Sequence, residues 1–172
     1  MSRLSYSFRR LPLLLAIAAA LGSGPALALD AATGKIILTI TGKVGEPNSA
    51  KGAEFDMAML EKLPQHTMTT QTPWEKTPTT FSGPLLRDVL AAAKASGTNL
   101  KAVALNDYKT SIPFSDTQAF DMVLASRMNG KAIPVRTKGP LFIVYPYDTR
   151  SELRSTTYYE RSAWQLRTLT VE

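Results

Sequence analysis

Between residues 102 and 145 the sequence is cut into short apolar runs by turn-forming pairs, and this punctuation constrains the fold more than any other feature. Residues 102–105, 108–112, 122–127, 132–133 and 141–145 are separated by Asn106-Asp107, by Asn129-Gly130 and by Gly139-Pro140. Runs this short suit strands, because an amphipathic helix takes about ten residues or more. Asn-Gly is the pair that a two-residue hairpin prefers, since both central positions need a positive φ. The run 141–145 carries no polar residue, as expected of a strand covered on both faces. Residues 36–41 and 164–171 read as further strands, with the alternation of the last slipping near Arg167. His66 falls in another predicted strand.

Helical signals are fewer. Asp56 is placed to cap a short helix over Met57–Lys62, which Pro64 ends. Residues 84–96 carry the strongest helical pattern. Pro84 suits the first position, Leu85, Leu86, Val89, Leu90 and Ala93 repeat at helical spacing, and Gly97 supplies a left-handed stop. The reading is α+β, a mixed and sheet-rich fold with one main helix and short ones.

The first 28 residues have the layout of a cleavable export signal. Arg3, Arg9 and Arg10 precede the apolar stretch 11–21, and Ala26-Leu27-Ala28 offers small residues at the cleavage positions. An apolar stretch of this length falls short of the roughly 20 residues that span a bilayer. The expectation is a signal peptide over 1–28, a single domain over 29–172, a periplasmic or secreted location and no retained membrane anchor. Arg9-Arg10 also admits twin-arginine export, although its flanking residues match that signal poorly.

The leader takes three of the twenty basic residues and none of the fourteen acidic ones, so the remaining chain carries a net charge of +3. The pI of 9.7 therefore argues little for nucleic acid, and no nucleic-acid partner is expected. Residues 29–120 are balanced, nine basic against nine acidic, and the excess lies in 121–172, with eight against five. There is one histidine and no cysteine, which excludes the usual zinc and non-haem iron ligand sets. No G-x-S-x-G turn, phosphate loop or dinucleotide fingerprint is present outside the leader. No catalytic or metal-ligating residue is assigned.

Two segments, NDYKTSIPFSD from Asn106 and LASRMNGKAIPVRTKGPLFIVYP from Leu124, carry a resemblance. With Trp74, the Phe81-Ser82-Gly83 entrance to the main helix, and Arg161 followed by Trp164-Gln165-Leu166, they resemble the molybdopterin-binding oxidoreductase domain of the sulfite oxidase type, especially its short exported members. The resemblance implies that fold and a molybdopterin cofactor whose molybdenum is held by a cysteine thiolate just before the tryptophan segment. Here the corresponding stretch is Met68-Thr69-Thr70-Gln71-Thr72-Pro73-Trp74, which offers no thiolate. The chain also lacks the upstream basic and histidine-containing segments of full-size members.

The candidate pocket comprises Trp74, Asn106, Asp107, Tyr108, Arg127, Lys138, Gly139, Pro140 and Arg161. Asn106, Asp107 and Tyr108 lie at a turn, where they either face a ligand or merely satisfy turn hydrogen bonds. Arg127, Lys138 and the Gly139-Pro140 backbone would favour an anion or a pterin-like heterocycle if they gathered. The leading expectation is an exported domain without molybdenum catalysis that binds a small anionic or heterocyclic ligand or an envelope or sensor protein. The alternatives are a molybdopterin-dependent oxidoreductase with its cysteine ligand replaced, and a purely protein-interaction module. One deep pocket holding Trp74, Arg127 and Gly139-Pro140 would favour a ligand, and a shallow apolar patch a protein partner.

Overall fold

The computed structural model describes residues 29–172; the expected leader lies outside them. Five strands form a mixed sheet in the order β2-β1-β11-β5-β6, built from β1 (Leu38–Gly42), β2 (Ala53–Phe55), β5 (Asn99–Ala104), β6 (Lys109–Pro113) and β11 (Leu166–Val171). Its one parallel pair joins β1 to β11, the first strand of the chain to the last. An antiparallel sheet of order β3-β4-β8-β9 contains β3 (Gln65–Thr70), β4 (Thr79–Pro84), β8 (Arg127–Met128) and β9 (Lys131–Ala132). Between them β7 (Val123–Ala125) pairs with β10 (Phe142–Val144). Among the described residues the α-helices, α1 (Met57–Lys62), α2 (Leu86–Ala92), α3 (Asp116–Ala119) and α4 (Thr156–Arg161), are all short. A single apolar cluster draws on every sheet, with Ile40, Phe81, Leu124, Phe142 and Leu166 among its members. This is the α+β, sheet-rich architecture expected from the sequence.

Local chemistry accounts for the elements that the sequence announced. Asp56 caps α1, accepting from Met59 N at 2.9 Å through one oxygen and from Thr33 N and Gly34 N through the other. Asn129 and Gly130 take φ of 50° and 76°, as the turn between β8 and β9 requires. All three residues of β10 are buried, and the register of β11 against β5 shifts between Leu166 and Thr168, where the alternation slips.

The main helix differs from expectation at both ends. Pro84 closes β4 opposite Gln65, so α2 starts after Leu85, whose ψ of 142° is extended. At the other end Lys94, not Gly97, takes the left-handed position with φ 46°. Lys94 N donates to Ala91 O and Ala95 N to Leu90 O, each at 2.9 Å, which is the paired hydrogen bonding of a Schellman stop. Gly97 answers a different need, because a Cβ there would lie 2.4 Å from the carbonyl oxygen of Glu172. Phe81-Ser82-Gly83 is likewise strand rather than helix entrance, since β4 is bonded to β3 on one side and β8 on the other.

Candidate functional site

Strand ends and one short helix meet around Trp74, in the loop that joins β3 to β4. Gln71 shapes this loop, its side-chain amide donating to Thr72 O and Glu75 O at 3.0 and 2.7 Å and its backbone N to Asp148 Oδ2 at 2.8 Å. That backbone bond, reinforced by Arg154, holds the Asp148 carboxyl below its ordinary range. The Trp74 ring then meets Phe142, Tyr147, Tyr159 and Trp164, each edge to face, with centroids 5.3 to 6.5 Å apart. Edge-to-face packing follows from the negative face and positive edge of aromatic rings.

On the open side of this cluster lies a cleft of about 230 Å³, lined by Trp74, Asn106, Tyr108, Tyr159, Glu160, Ser162 and Trp164. Its two walls are far apart in sequence. Asn106 and Tyr108 come from the turn between β5 and β6, where Asn106 Oδ1 accepts from Tyr108 N at 3.1 Å. The opposite wall is α4 and the residues after it. The Tyr108 hydroxyl ties the walls together by donating to Glu160 O at 2.8 Å.

The other side of the same aromatic cluster is sealed. Tyr145 and Tyr147 are fully buried. Asp116 Oδ2 accepts from the Tyr145 hydroxyl at 2.8 Å and from Arg161 Nη1 at 2.9 Å. The Tyr147 hydroxyl is bonded to Ser162 Oγ, which itself donates to Tyr158 O. Burial, aided by Asp116, pushes the Tyr145 phenol far above its ordinary pKa. Burial does the same to Tyr147, with the Ser162 bond opposing it.

Of the nine residues singled out from the sequence, Trp74, Asn106 and Tyr108 line the cleft. The other six do not line it. Asp107 takes φ 63° and its carboxylate lies 3.6 Å from Arg167. Arg127 projects from β8 and pairs with Glu61 on α1 at 3.0 Å. Lys138 is bonded to Glu75 at 2.7 Å. Gly139 and Pro140 are joined by a cis peptide, and a Cβ on Gly139 would overlap Ile133 O at 1.8 Å, so the Gly139 backbone packs directly against Ile133. Pro140 borders a separate groove with Ile37, Leu105 and Val135. Arg161 faces inward to Asp116 and stacks over the Tyr158 ring at 5.2 Å. The expected gathering of Arg127, Lys138, Gly139 and Pro140 around one anion does not occur, because each cation already has a carboxylate partner.

The residues that the sequence reading left outside its pocket are Tyr159, Glu160, Ser162 and Trp164. Of these four, the segments that carry the resemblance include only Trp164. Helix α4, which positions this wall, has neither a side-chain cap nor an apolar stripe to announce it.

The donor set can be set against the cofactor that the resemblance implies. Thr70 and Thr72, in the stretch where a thiolate would stand, are buried, and their hydroxyls make no hydrogen bond among the described residues; Thr70 lies near enough to the Asp148 carboxylate to help lower it. Neutral hydroxyls and the Met68 thioether are poor substitutes for a thiolate at a soft metal. His66 is exposed on β3, and no group of three or more His, Cys, Asp or Glu residues is placed for a metal among the described residues. Neither Lys nor Arg lines the cleft, which leaves a cofactor phosphate without a cation there. These residues do not fit a thiolate-ligated molybdenum centre.

The model of the oxidoreductase molybdopterin binding domain matches residues 26–149. Trp74, Asn106 and Tyr108 fall within that match, and the wall from Tyr159 to Trp164 lies beyond it. No curated protein matches the sequence. Among solved structures, the sulfane dehydrogenase SoxCD from Paracoccus pantotrophus is similar in fold, with a TM-score of 0.58 and 19% identity over 78% of this chain. The shared region amounts to 37% of that chain.

Proposed function

From the premise that this chain belongs to the oxidoreductase molybdopterin binding domain family, we propose that it is an exported domain that keeps the family fold without thiolate-ligated molybdenum. Its working site is the aromatic cleft, which receives a small molecule. The observation that carries this reading is chemical. The stretch that would supply the metal ligand presents only threonine, glutamine, methionine and proline before Trp74. Meanwhile the family fold, with its C-terminal segment, encloses an apolar cleft of about 230 Å³. That volume lies just below the ~300–1,000 Å³ of drug-sized sites, which suits a compact ligand better than a pterin bearing a phosphate.

Export is proposed from the leader-like first 28 residues. In an oxidising compartment, a chain with no thiol is inert to disulfide exchange and to cysteine oxidation. Protein exported by the native host, denatured and analysed by mass spectrometry, tests both parts. The expected result is a chain beginning at Leu29 and releasing no pterin. An uncleaved chain would overturn export by this route, and a pterin at one per chain would overturn the cofactor-free reading.

A further inference from the structure

We infer that the ligand of the cleft is an organic cation of the quaternary or tertiary ammonium class, an inference that rests on the cleft being a small-molecule site. Three features of the lining lead there. First, four of its seven residues are aromatic: Trp74, Tyr108, Tyr159 and Trp164. Ring faces attract cations through their quadrupole, and tryptophan does so most strongly.

Second, the rings stand at steep angles. Trp74 and Trp164 are perpendicular, with an interplanar angle of 90° and centroids 5.3 Å apart, and Trp74 and Tyr159 meet at 71°. A flat heterocycle needs two roughly parallel faces to be clamped between. Rings set as a corner instead match a rounded group such as a trimethylammonium head, which presents methyl surface in several directions at once.

Third, the fixed charge has one sign. Glu160 is the one residue of the lining with an ionised side chain. Two neighbouring cations are engaged elsewhere, Arg161 with Asp116 and Lys138 with Glu75. Remaining polarity comes from Asn106, from the tyrosine hydroxyls and indole N–H groups of the aromatic residues, and from Ser162, whose hydroxyl proton is given to Tyr158 O. A cation entering this cleft meets aromatic rings and one acidic residue of the lining, whereas an anion meets the same residue and no Lys or Arg. This differs from the small anionic or heterocyclic ligand or protein partner expected from the sequence.

Both tryptophans of the protein, Trp74 and Trp164, line the cleft, so tryptophan fluorescence reports on this site alone. The exported protein is titrated with choline, with its neutral isostere 3,3-dimethylbutan-1-ol and with inorganic phosphate, and affinities are checked by calorimetry. Choline is expected to quench saturably and to bind about tenfold more tightly than the isostere. Glu160→Gln, at an exposed position, is expected to weaken choline roughly three- to fivefold and to leave the isostere unchanged. Isostere or phosphate binding as tightly as choline would overturn the cation inference while leaving the small-molecule reading intact. If no probe perturbs the tryptophans, both are overturned.

Discussion

The sealed and open halves of the aromatic cluster are built from the same kinds of residue and meet opposite fates. In the sealed half, Tyr145 and Tyr147 are fully buried, each with its hydroxyl bonded to a fixed partner. In the open half, Trp74, Tyr159 and Trp164 are only partly covered, and of the two hydroxyls there Tyr108 spends its proton on joining the walls. The difference lies in what faces the rings. Asp116 and Arg161 close one side with an ion pair, while on the side facing the β5–β6 turn Tyr108 reaches across to Glu160 O and leaves the cleft open beside it. Helix α4 serves both halves at once, because consecutive residues of a helix point about 100° apart. Tyr158 and Arg161 go to the seal, and Tyr159 and Glu160 to the cleft.

The largest effect should come from opening the seal. Asp116→Ala leaves the Arg161 guanidinium and the Tyr145 hydroxyl without their shared acceptor, and should cost about 3 kcal/mol in urea unfolding. A cost below about 1 kcal/mol would show that the ion pair adds little to closure.

Alkaline pH probes the same half without mutation. The folded-state pKa of Tyr145 and Tyr147 is raised above the unfolded value, first by burial. A raised pKa contributes stability that is complete below the unfolded phenol range, near pH 10, and is lost as pH rises beyond it. Ultraviolet titration should show these two phenols ionising only together with the loss of near-ultraviolet circular dichroism. Ionisation in a protein that is still folded would mean that the seal is open to water.

Trp164→Leu tests the open half. With the ring only partly covered, the substitution should cost about 1–2 kcal/mol of stability and abolish the calorimetric signal for choline. Retained binding would place the ligand elsewhere.

The smallest effect concerns the loop that carries Trp74. The Asp148 carboxyl is lowered by the backbone N–H of Gln71 and by Arg154, so its contribution is present above the unfolded carboxylate range and fades as pH falls through the folded value. Asp148→Asn should flatten the acid limb of the stability profile by less than about 1 kcal/mol and broaden the Trp74 side-chain resonance. An unchanged acid limb would remove Asp148 from the account of this loop.

How much of this was legible from the residues depended on range. Features decided within a few positions were readable: Asp56 as a cap for α1, Asn129-Gly130 as a hairpin turn, and the buried run that contains β10. Pro84 and Gly97 misled because each has a tertiary reason, the end of a paired strand for one and the close approach of the C-terminal carbonyl for the other. Strand β4 was hidden because its partners β3 and β8 must be known before it reads as a strand. Helix α4 is six residues without a side-chain cap or an apolar stripe, so neither standard signal was there to find.

Site residues follow the same division. Arg127, Lys138 and Arg161 look like free cations along the chain, yet their carboxylate partners Glu61, Glu75 and Asp116 lie 66, 63 and 45 positions away. Trp74 and the β5–β6 turn were identifiable, whereas their meeting with Tyr159 and Trp164 is a product of the fold.

The measurement that tests the central claim most directly is molybdenum and tungsten content by elemental analysis. It should be made on protein exported by its native host, beside a cysteine-containing family member loaded under the same conditions. The account predicts background metal here and about one atom per chain in the comparison protein. About one atom per chain in both would contradict it, and would mean that this fold holds the metal without a thiolate from the protein.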